Sequence, residues 1–112
     1  MAKCTLSLSG DYKYILSRID DAVLNKSFSA SYEDGVIHVL DNGYVSGLRV
    51  YERYSVFGGN RVSLSVFLCG RDNRYEVTFI TSGGSEALFF KVNTFGEESF
   101  LDSVVSELDD LG

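Results

Sequence analysis

The stretch from residue 44 to residue 92 constrains the fold most, because apolar and polar residues alternate along most of its length. Alternation with this period is typical of β-strands, whose successive side chains point to opposite faces of a sheet. The pattern breaks at clusters of Gly, Asn, Asp and Ser, which are residues that favour turns. The stretch therefore predicts an antiparallel meander.

The lengths of three loops in this stretch predict which residues share a face of the sheet. A three-residue loop at 58–60 pairs Tyr54 with Leu64 and sets Glu52 opposite Val66. Loops at 70–73 and 82–85 also set apolar residues against apolar residues, so the three loops agree on one apolar face. The pairs expected across the two later loops are Leu68 with Tyr75, Val66 with Val77, Leu64 with Phe79, Phe79 with Leu88, and Val77 with Phe90.

The flanking segments predict two helices and three further strands. Residues 3–8 alternate and read as an edge strand, and residues 11–26 carry apolar residues at helical spacing. Residues 28–41 read as a hairpin around Asp34-Gly35, a dipeptide that favours tight turns. A final helix is expected from Thr94, which has capping-box spacing to Glu97.

These elements predict a single α+β domain over residues 1–112. Its curved, mostly antiparallel sheet has seven strands, in the element order β-α-β-β-β-β-β-β-α, and two helices pack on one face. The final helix is expected to bury Leu101, Val104 and Val105 against the apolar face of the sheet.

Composition excludes several classes of function. The net charge of -6 argues against nucleic acid as a partner, because binding to the phosphate backbone is driven by basic residues. No segment approaches the roughly 20 apolar residues of a membrane span, and the start lacks an apolar signal sequence. Cys4 and Cys69 have no metal-ligand spacing and indicate a reducing, cytoplasmic location. We expect no metal and no cofactor.

A carboxylate on the apolar face suggests a ligand pocket. The register places Glu52 on that face together with Tyr54, Tyr75 and Tyr32. A buried carboxylate must be paired, hydrated or bound to a ligand, because burial of an unpaired charge is costly. The candidate pocket would hold a small apolar ligand, and an enzyme that uses Glu52 is a weaker alternative. A paired or edge-exposed glutamate is the simpler explanation.

The opposite face of the same strands combines Arg with aromatic residues, a composition typical of protein interfaces. This face predicts a homodimer, although scattered aromatics on a solvated face would explain it equally well. The candidate interface residues are Arg49, Tyr51, Arg53, Phe67, Glu76 and Phe89.

Two blocks of sequence, residues 49–60 (RVYERYSVFGGN) and residues 82–98 (SGGSEALFFKVNTFGEE), resemble a family of small bacterial proteins classified as a domain of unknown function. The resemblance implies no activity and no site residues. The predicted element order also resembles a reduced helix-grip fold of the START or Bet v1-like type, which is an analogy of topology alone.

Three functions remain open at this point. The leading hypothesis is a non-enzymatic binding or interaction module that self-associates through a sheet face or a sheet edge. The absence of proline from the chain supports it, because proline is one of the residues that protect sheet edges from pairing. The second hypothesis is a small-ligand pocket protein of helix-grip type, and the third is an enzyme using Glu52.

Overall fold

The computed structural model describes residues 1–25, 29–55, 60–83, 101–102 and 104–112, and these residues form a five-stranded antiparallel sheet covered on one face by helical segments. The spatial order of the strands is β1-β5-β4-β3-β2, so the described sheet has β1 at one edge, as predicted, and β2 at the other. The strands are β1 (Ala2–Ser9), β2 (Ala30–Val39), β3 (Val45–Ser55), β4 (Asn60–Arg71) and β5 (Arg74–Gly83).

One helix follows the first strand where the helical spacing predicts it. Helix α1 (Tyr12–Asp20) continues into a π-helical turn (Asp21–Asn25). The predicted apolar stripe is buried against the sheet and consists of Ile15, Leu16, Ile19, Ala22 and Val23. None of the helical segments in the described residues has the length and apolar character needed to cross a bilayer.

The chain ends in a short segment that packs beside α1. Residues 101–102 and 104–106 are helical, and a 3-10 turn (Asp109–Leu111) follows. Arg18 of α1 binds this segment: its guanidinium donates to both Asp110 carboxylate oxygens at 2.9 and 2.6 Å and to the Glu107 carbonyl at 2.8 Å. The predicted start of the final helix, from Thr94 to Phe100, lies outside the described residues.

The predicted architecture of seven strands and two helices is wrong. The described residues form five strands, and their longest helical stretch is α1 with its π-helical turn. The described structure is therefore mostly β. The hairpin at Asp34-Gly35 does not form, because β2 runs straight through this dipeptide and pairs with the long strand β3. A β-bulge between Tyr32 and Asp34 takes the place of the turn. The element order behind the helix-grip analogy is therefore not observed.

The partners of β5 also differ from the prediction. β5 pairs with β4 on one side and with β1 on the other, where Cys4 lies opposite Phe79 and Leu6 opposite Val77. Both sides of β5 are therefore occupied, and the expected pairing of Phe79 with Leu88 is wrong. The segment 85–92 itself lies outside the described residues.

The turn between β4 and β5 is shorter than predicted, but it preserves the faces of both strands. Asp72 and Asn73 form a two-residue turn, and both have positive φ, of 58° and 61°, as a type I′ turn requires. Val66 therefore lies opposite Phe79 instead of Val77. Because this shift amounts to two residues, every side chain keeps its predicted face.

The register of β3 differs by an odd number of residues, which inverts its faces. Tyr51 lies opposite Leu64, and Glu52 lies opposite Ser63 instead of Val66. The placement of Glu52 on the apolar face is therefore wrong. Below, the inner face is the one that carries α1, and the outer face is the other.

The core lies between the inner face and the helical segments. Its buried residues confirm the predicted core positions of β4, β5 and the final segment. These buried positions are Leu64, Val66, Val77, Phe79, Leu101 and Val104, while Val105 is partly buried against them.

Candidate functional site

Glu52 and Tyr54 lie on the outer face, near the end of β3. Arg61 on the neighbouring strand donates to the Glu52 carboxylate at 2.8 Å, so this acid is paired. Tyr54 is 52% exposed. The cavity beside these residues has a volume of only about 80 Å³. Drug-sized ligands occupy cavities of about 300–1,000 Å³, so a ligand of that size does not fit here.

The structure does not bring the four predicted pocket residues together. Tyr32 lies on the inner face of the edge strand β2, with its ring 5.7 Å from that of Tyr51. Tyr75 is buried on the inner face of β5, where its ring contacts that of Tyr12 edge to face at 6.3 Å. Two strands separate Tyr32 from Tyr75, and the thickness of the sheet separates both from Glu52.

The predicted interface residues are also divided between the two faces. Arg49, Tyr51 and Arg53 lie opposite inner-face residues of β4, whereas Phe67 lies on the outer face. Glu76 is exposed on the outer face, where the Ser7 hydroxyl donates to it at 2.8 Å. Phe89 lies outside the described residues. These residues therefore do not share one surface.

A polar cluster joins α1 to the inner face of β3. Arg49 donates to both carboxylate oxygens of Asp20 at 3.0 Å, and the Tyr51 hydroxyl donates to the same carboxylate. The Arg49 guanidinium also lies 5.5 Å from the centre of the Tyr32 ring, within the range of a cation–π contact. Each polar group therefore has a partner, although Tyr51 is fully buried.

The polar cluster of Asp20, Arg49 and Tyr51 has a structural role. Burial raises the pKa of Tyr51 above its usual range, and the hydrogen bond to Asp20 raises it further. The phenol therefore stays protonated near neutral pH and is a poor general base. Its role is to hold α1 against β3, because Asp20 is the last residue of the helix.

Sequence reasoning missed Asp20. Its position offered a signal, because it directly follows Ile19 and comes four residues after Leu16, both of which belong to the buried stripe. A carboxylate at that spacing lies beside the helix face that packs on the sheet. The Arg partner, by contrast, could be found only once the register of β3 was known.

A trough lies at the end of the sheet where β4 turns into β5. Its volume is about 440 Å³, and it is open to solvent. A hydrogen bond with Cys69 raises the pKa of Tyr44 at this site. Its lining includes Ser7, Tyr44, Cys69, Arg74, Tyr75 and Glu76.

The edge strand β2 presents a run of apolar side chains to solvent. Residues 36–40 read VIHVL and carry no acidic or basic residue except the single histidine. Ile37 and Val39 lie on the inner face, yet they are 39% and 57% exposed, so the helix does not cover them. Val36 and His38 are exposed on the outer face. The run is therefore open on both faces as well as along its edge.

The two halves of this edge are protected to different degrees. The bulge at Tyr32 and Asp34 interrupts the first half, and the Asp34 carboxylate accepts a hydrogen bond from the Gly35 N–H at 2.8 Å. Bulges and charged side chains are common protections of sheet edges. The second half, from Val36 to Leu40, has neither. Within the described residues, no strand other than β3 pairs with β2, so one edge of β2 is free.

Nothing in the described ranges groups three His, Cys, Asp or Glu side chains closely enough to ligate a metal ion. The model of a family described as "Family of unknown function (DUF6054)" matches residues 1–112. Neither a curated protein nor a solved structure matches the chain.

Proposed function

We propose that this chain, which belongs to the DUF6054 family along residues 1–112, is a non-enzymatic interaction module that self-associates through the edge of its sheet. The observation that carries the proposal is the exposed run Val36–Leu40, formed by the last four residues of β2 and the residue that follows them, which has no acidic side chain, Lys, Arg or proline. Unpaired backbone groups beside exposed apolar side chains form a template for an additional strand.

Self-association through the sheet edge fits the structure better than self-association through a sheet face. Phe67 and Leu48 are neighbours on the outer face, but Tyr51 and Arg49 belong to the inner face and already contact α1. The sheet edge, in contrast, combines apolar side chains with backbone donors and acceptors. The two free cysteines are consistent with function in the cytoplasm, where thiols stay reduced.

The test is the mass of the protein in solution. Sedimentation equilibrium at micromolar concentration should give a dimer for the wild type and a monomer for Val39→Lys. Lysine is a natural protector of edge strands, and Val39 is exposed, so the fold should survive the change. The matched control is Thr5→Lys on the opposite edge strand, which should remain dimeric. A monomeric wild type would contradict the proposal.

A second candidate function is the binding of a small ligand, which the trough beside Tyr44 and Cys69 favours. Its volume of about 440 Å³ lies within the range of small-molecule sites. Anilinonaphthalene sulfonate, an apolar anion, is a suitable probe because Arg74 lines the trough. Arg74→Gln should lower the affinity for the probe, as measured by fluorescence titration. Arg71→Gln changes a residue outside this lining and should leave the affinity unchanged. Equal effects of the two changes would rule out binding in the trough.

A further inference from the structure

We propose that the partner of β2 is a second copy of this chain, paired antiparallel about a two-fold axis through His38. This inference rests on the self-association proposed above and specifies its geometry. Ile37 of one copy lies opposite Val39 of the other, and the two His38 residues face each other. The two five-stranded sheets then join into one continuous sheet.

The hydrogen-bond pattern of β2 allows this register. The Leu40 N–H donates to the Tyr44 carbonyl at 2.8 Å, and the Leu40 carbonyl accepts from the Gly43 N–H at 2.9 Å in the turn that leads to β3, so both backbone groups of Leu40 point away from the free edge of β2. In an antiparallel pair this orientation alternates from residue to residue. The N–H and C=O of Ile37 and Val39 therefore point away from β3. When Ile37 faces Val39 of the second copy, each donates to the other, and the two-fold axis repeats the pair.

The position of Asp34 favours an axis at His38 over the adjacent choice. With the axis at His38, residues 36–40 of the two copies face one another, and Asp34 lies beyond this paired run. An axis at Ile37 also satisfies the hydrogen-bond pattern, but it sets Leu40 opposite the carboxylate of Asp34. Covering a carboxylate with an apolar side chain is unfavourable because it removes water from the charge.

Apolar packing is self-complementary in the same register. Opposed residues share a face, so Ile37 and Val39 of the two copies meet on the inner face, and Val36 meets Leu40 on the outer face. All four of these side chains are exposed in the single chain. A partner with the identical run VIHVL therefore covers every apolar residue of the run. The opposite edge, β1, instead carries Lys3 and alternating Thr and Ser.

Disulfide formation tests the register directly. In a non-hydrogen-bonded antiparallel pair the Cα atoms lie about 4.5 Å apart, which is within the range that a disulfide spans. In a Cys4→Ser, Cys69→Ser background, His38→Cys should form a covalent dimer under mild oxidation. Ser31→Cys, exposed on the outer face of the same strand, should stay monomeric on a non-reducing gel because the two copies of residue 31 lie far apart.

A mixture of two variants provides a second, independent readout. Val36→Cys and Leu40→Cys should each form few disulfides alone, but a disulfide-linked heterodimer should appear when they are mixed. If sedimentation shows a dimer while neither His38→Cys nor the mixture cross-links, this register is wrong and the proposed self-association stands. A monomeric wild type would overturn both. Equal cross-linking of Ser31→Cys and His38→Cys would indicate random collision and also overturn the register.

Discussion

The Tyr51 hydroxyl donates a hydrogen bond to the carboxylate of Asp20, which joins the last residue of α1 to the middle of β3. Arg49, two residues before Tyr51, donates to the same carboxylate. One acidic side chain therefore fixes the position of the helix over two inner-face residues of a single strand.

Replacement of Tyr51 by Phe should destabilise the fold while leaving its packing intact. The change deletes a buried hydrogen bond to a charged group, which corresponds to a loss of about 1.5–3 kcal/mol in the free energy of unfolding. Urea denaturation at one fixed protein concentration measures the loss. Tyr54→Phe is the control, with an expected change within about 0.5 kcal/mol, because Tyr54 is exposed. Similar losses in both variants would contradict the role of the hydroxyl.

The same residue should make the protein less stable in alkali. Because the pKa of Tyr51 is raised in the folded state, the unfolded state loses this proton first, at the ordinary tyrosine value of about 10. Above that pH the unfolded state binds fewer protons, so stability falls by up to about 1.4 kcal/mol per pH unit for this group. Below it the contribution is constant. Urea midpoints between about pH 9 and pH 11 should therefore fall less steeply in Tyr51→Phe than in the wild type.

The contact between Arg18 and Asp110 should affect stability in acid. The hydrogen bond from Arg18 lowers the pKa of Asp110 in the folded state. The resulting stabilisation is present above the ordinary aspartate pKa of about 4 and is lost as the pH falls through the lower, folded value. The melting temperature of Asp110→Asn should therefore decrease less on acidification than that of the wild type. Asp109→Asn removes a neighbouring charge but keeps the Arg18 contact, so it should behave like the wild type.

Two leucines on adjacent strands test the assignment of the faces. Leu64 is completely buried on the inner face, and its replacement by Ala should cost about 2–5 kcal/mol through lost burial and a cavity. Leu48 is 40% exposed on the outer face, so Leu48→Ala should cost much less. Chemical denaturation of both variants gives the comparison. Equal losses would mean that the faces of β3 are assigned incorrectly.

Replacing two glycines that have positive φ by alanine distinguishes the cost of a steric clash from the cost of an unfavourable backbone conformation. A Cβ at Gly70, which has φ of 150°, would lie 2.2 Å from the Arg74 carbonyl oxygen, and a backbone atom cannot move away by changing its rotamer. A Cβ at Gly43, which has φ of 83°, would meet nothing within 4 Å. Gly43→Ala should therefore cost about 1–2 kcal/mol from its left-handed backbone alone. Gly70→Ala should cost clearly more in the same unfolding measurement.

The sequence predicts the faces of β4 and β5 correctly because the period of two is strong in both strands. An error of two residues in the loop between them left Leu64, Val66, Val77 and Phe79 on the buried face. The stripe of α1 is predictable for a similar reason, since a helix buries residues at a fixed spacing.

The faces of β3 are not predictable in this way. Both faces of the strand mix apolar with charged residues, so the pattern alone does not decide which is buried. The decision comes from Asp20, which provides a partner for Arg49 and Tyr51 on the inner face. That contact joins residues about 30 positions apart in the chain, so the local sequence pattern does not reveal it.

The hairpin predicted at Asp34-Gly35 fails for a related reason. This dipeptide favours a tight turn, but pairing with β3 is longer than the pairing that a hairpin within residues 28–41 would allow.

The sequence predicts the candidate site only in part. The lack of proline indicates unprotected edges, while the location of the unprotected edge depends on the strand order.

The pairing of β1 with β5 determines the order in which the sheet can be completed. The side chains of Thr5 and Thr78 touch across this pair at 2.9 Å, although 73 positions separate them in the chain. Contacts between distant positions form slowly, because a long loop must close first. During synthesis the hairpins β3–β4 and β4–β5 can assemble as they emerge, whereas β1 precedes the other described strands in the chain and cannot pair until β5 has emerged. Until then Leu6 and Leu8 remain uncovered, so β1 is the described strand that stays exposed longest to chaperones and to aggregation.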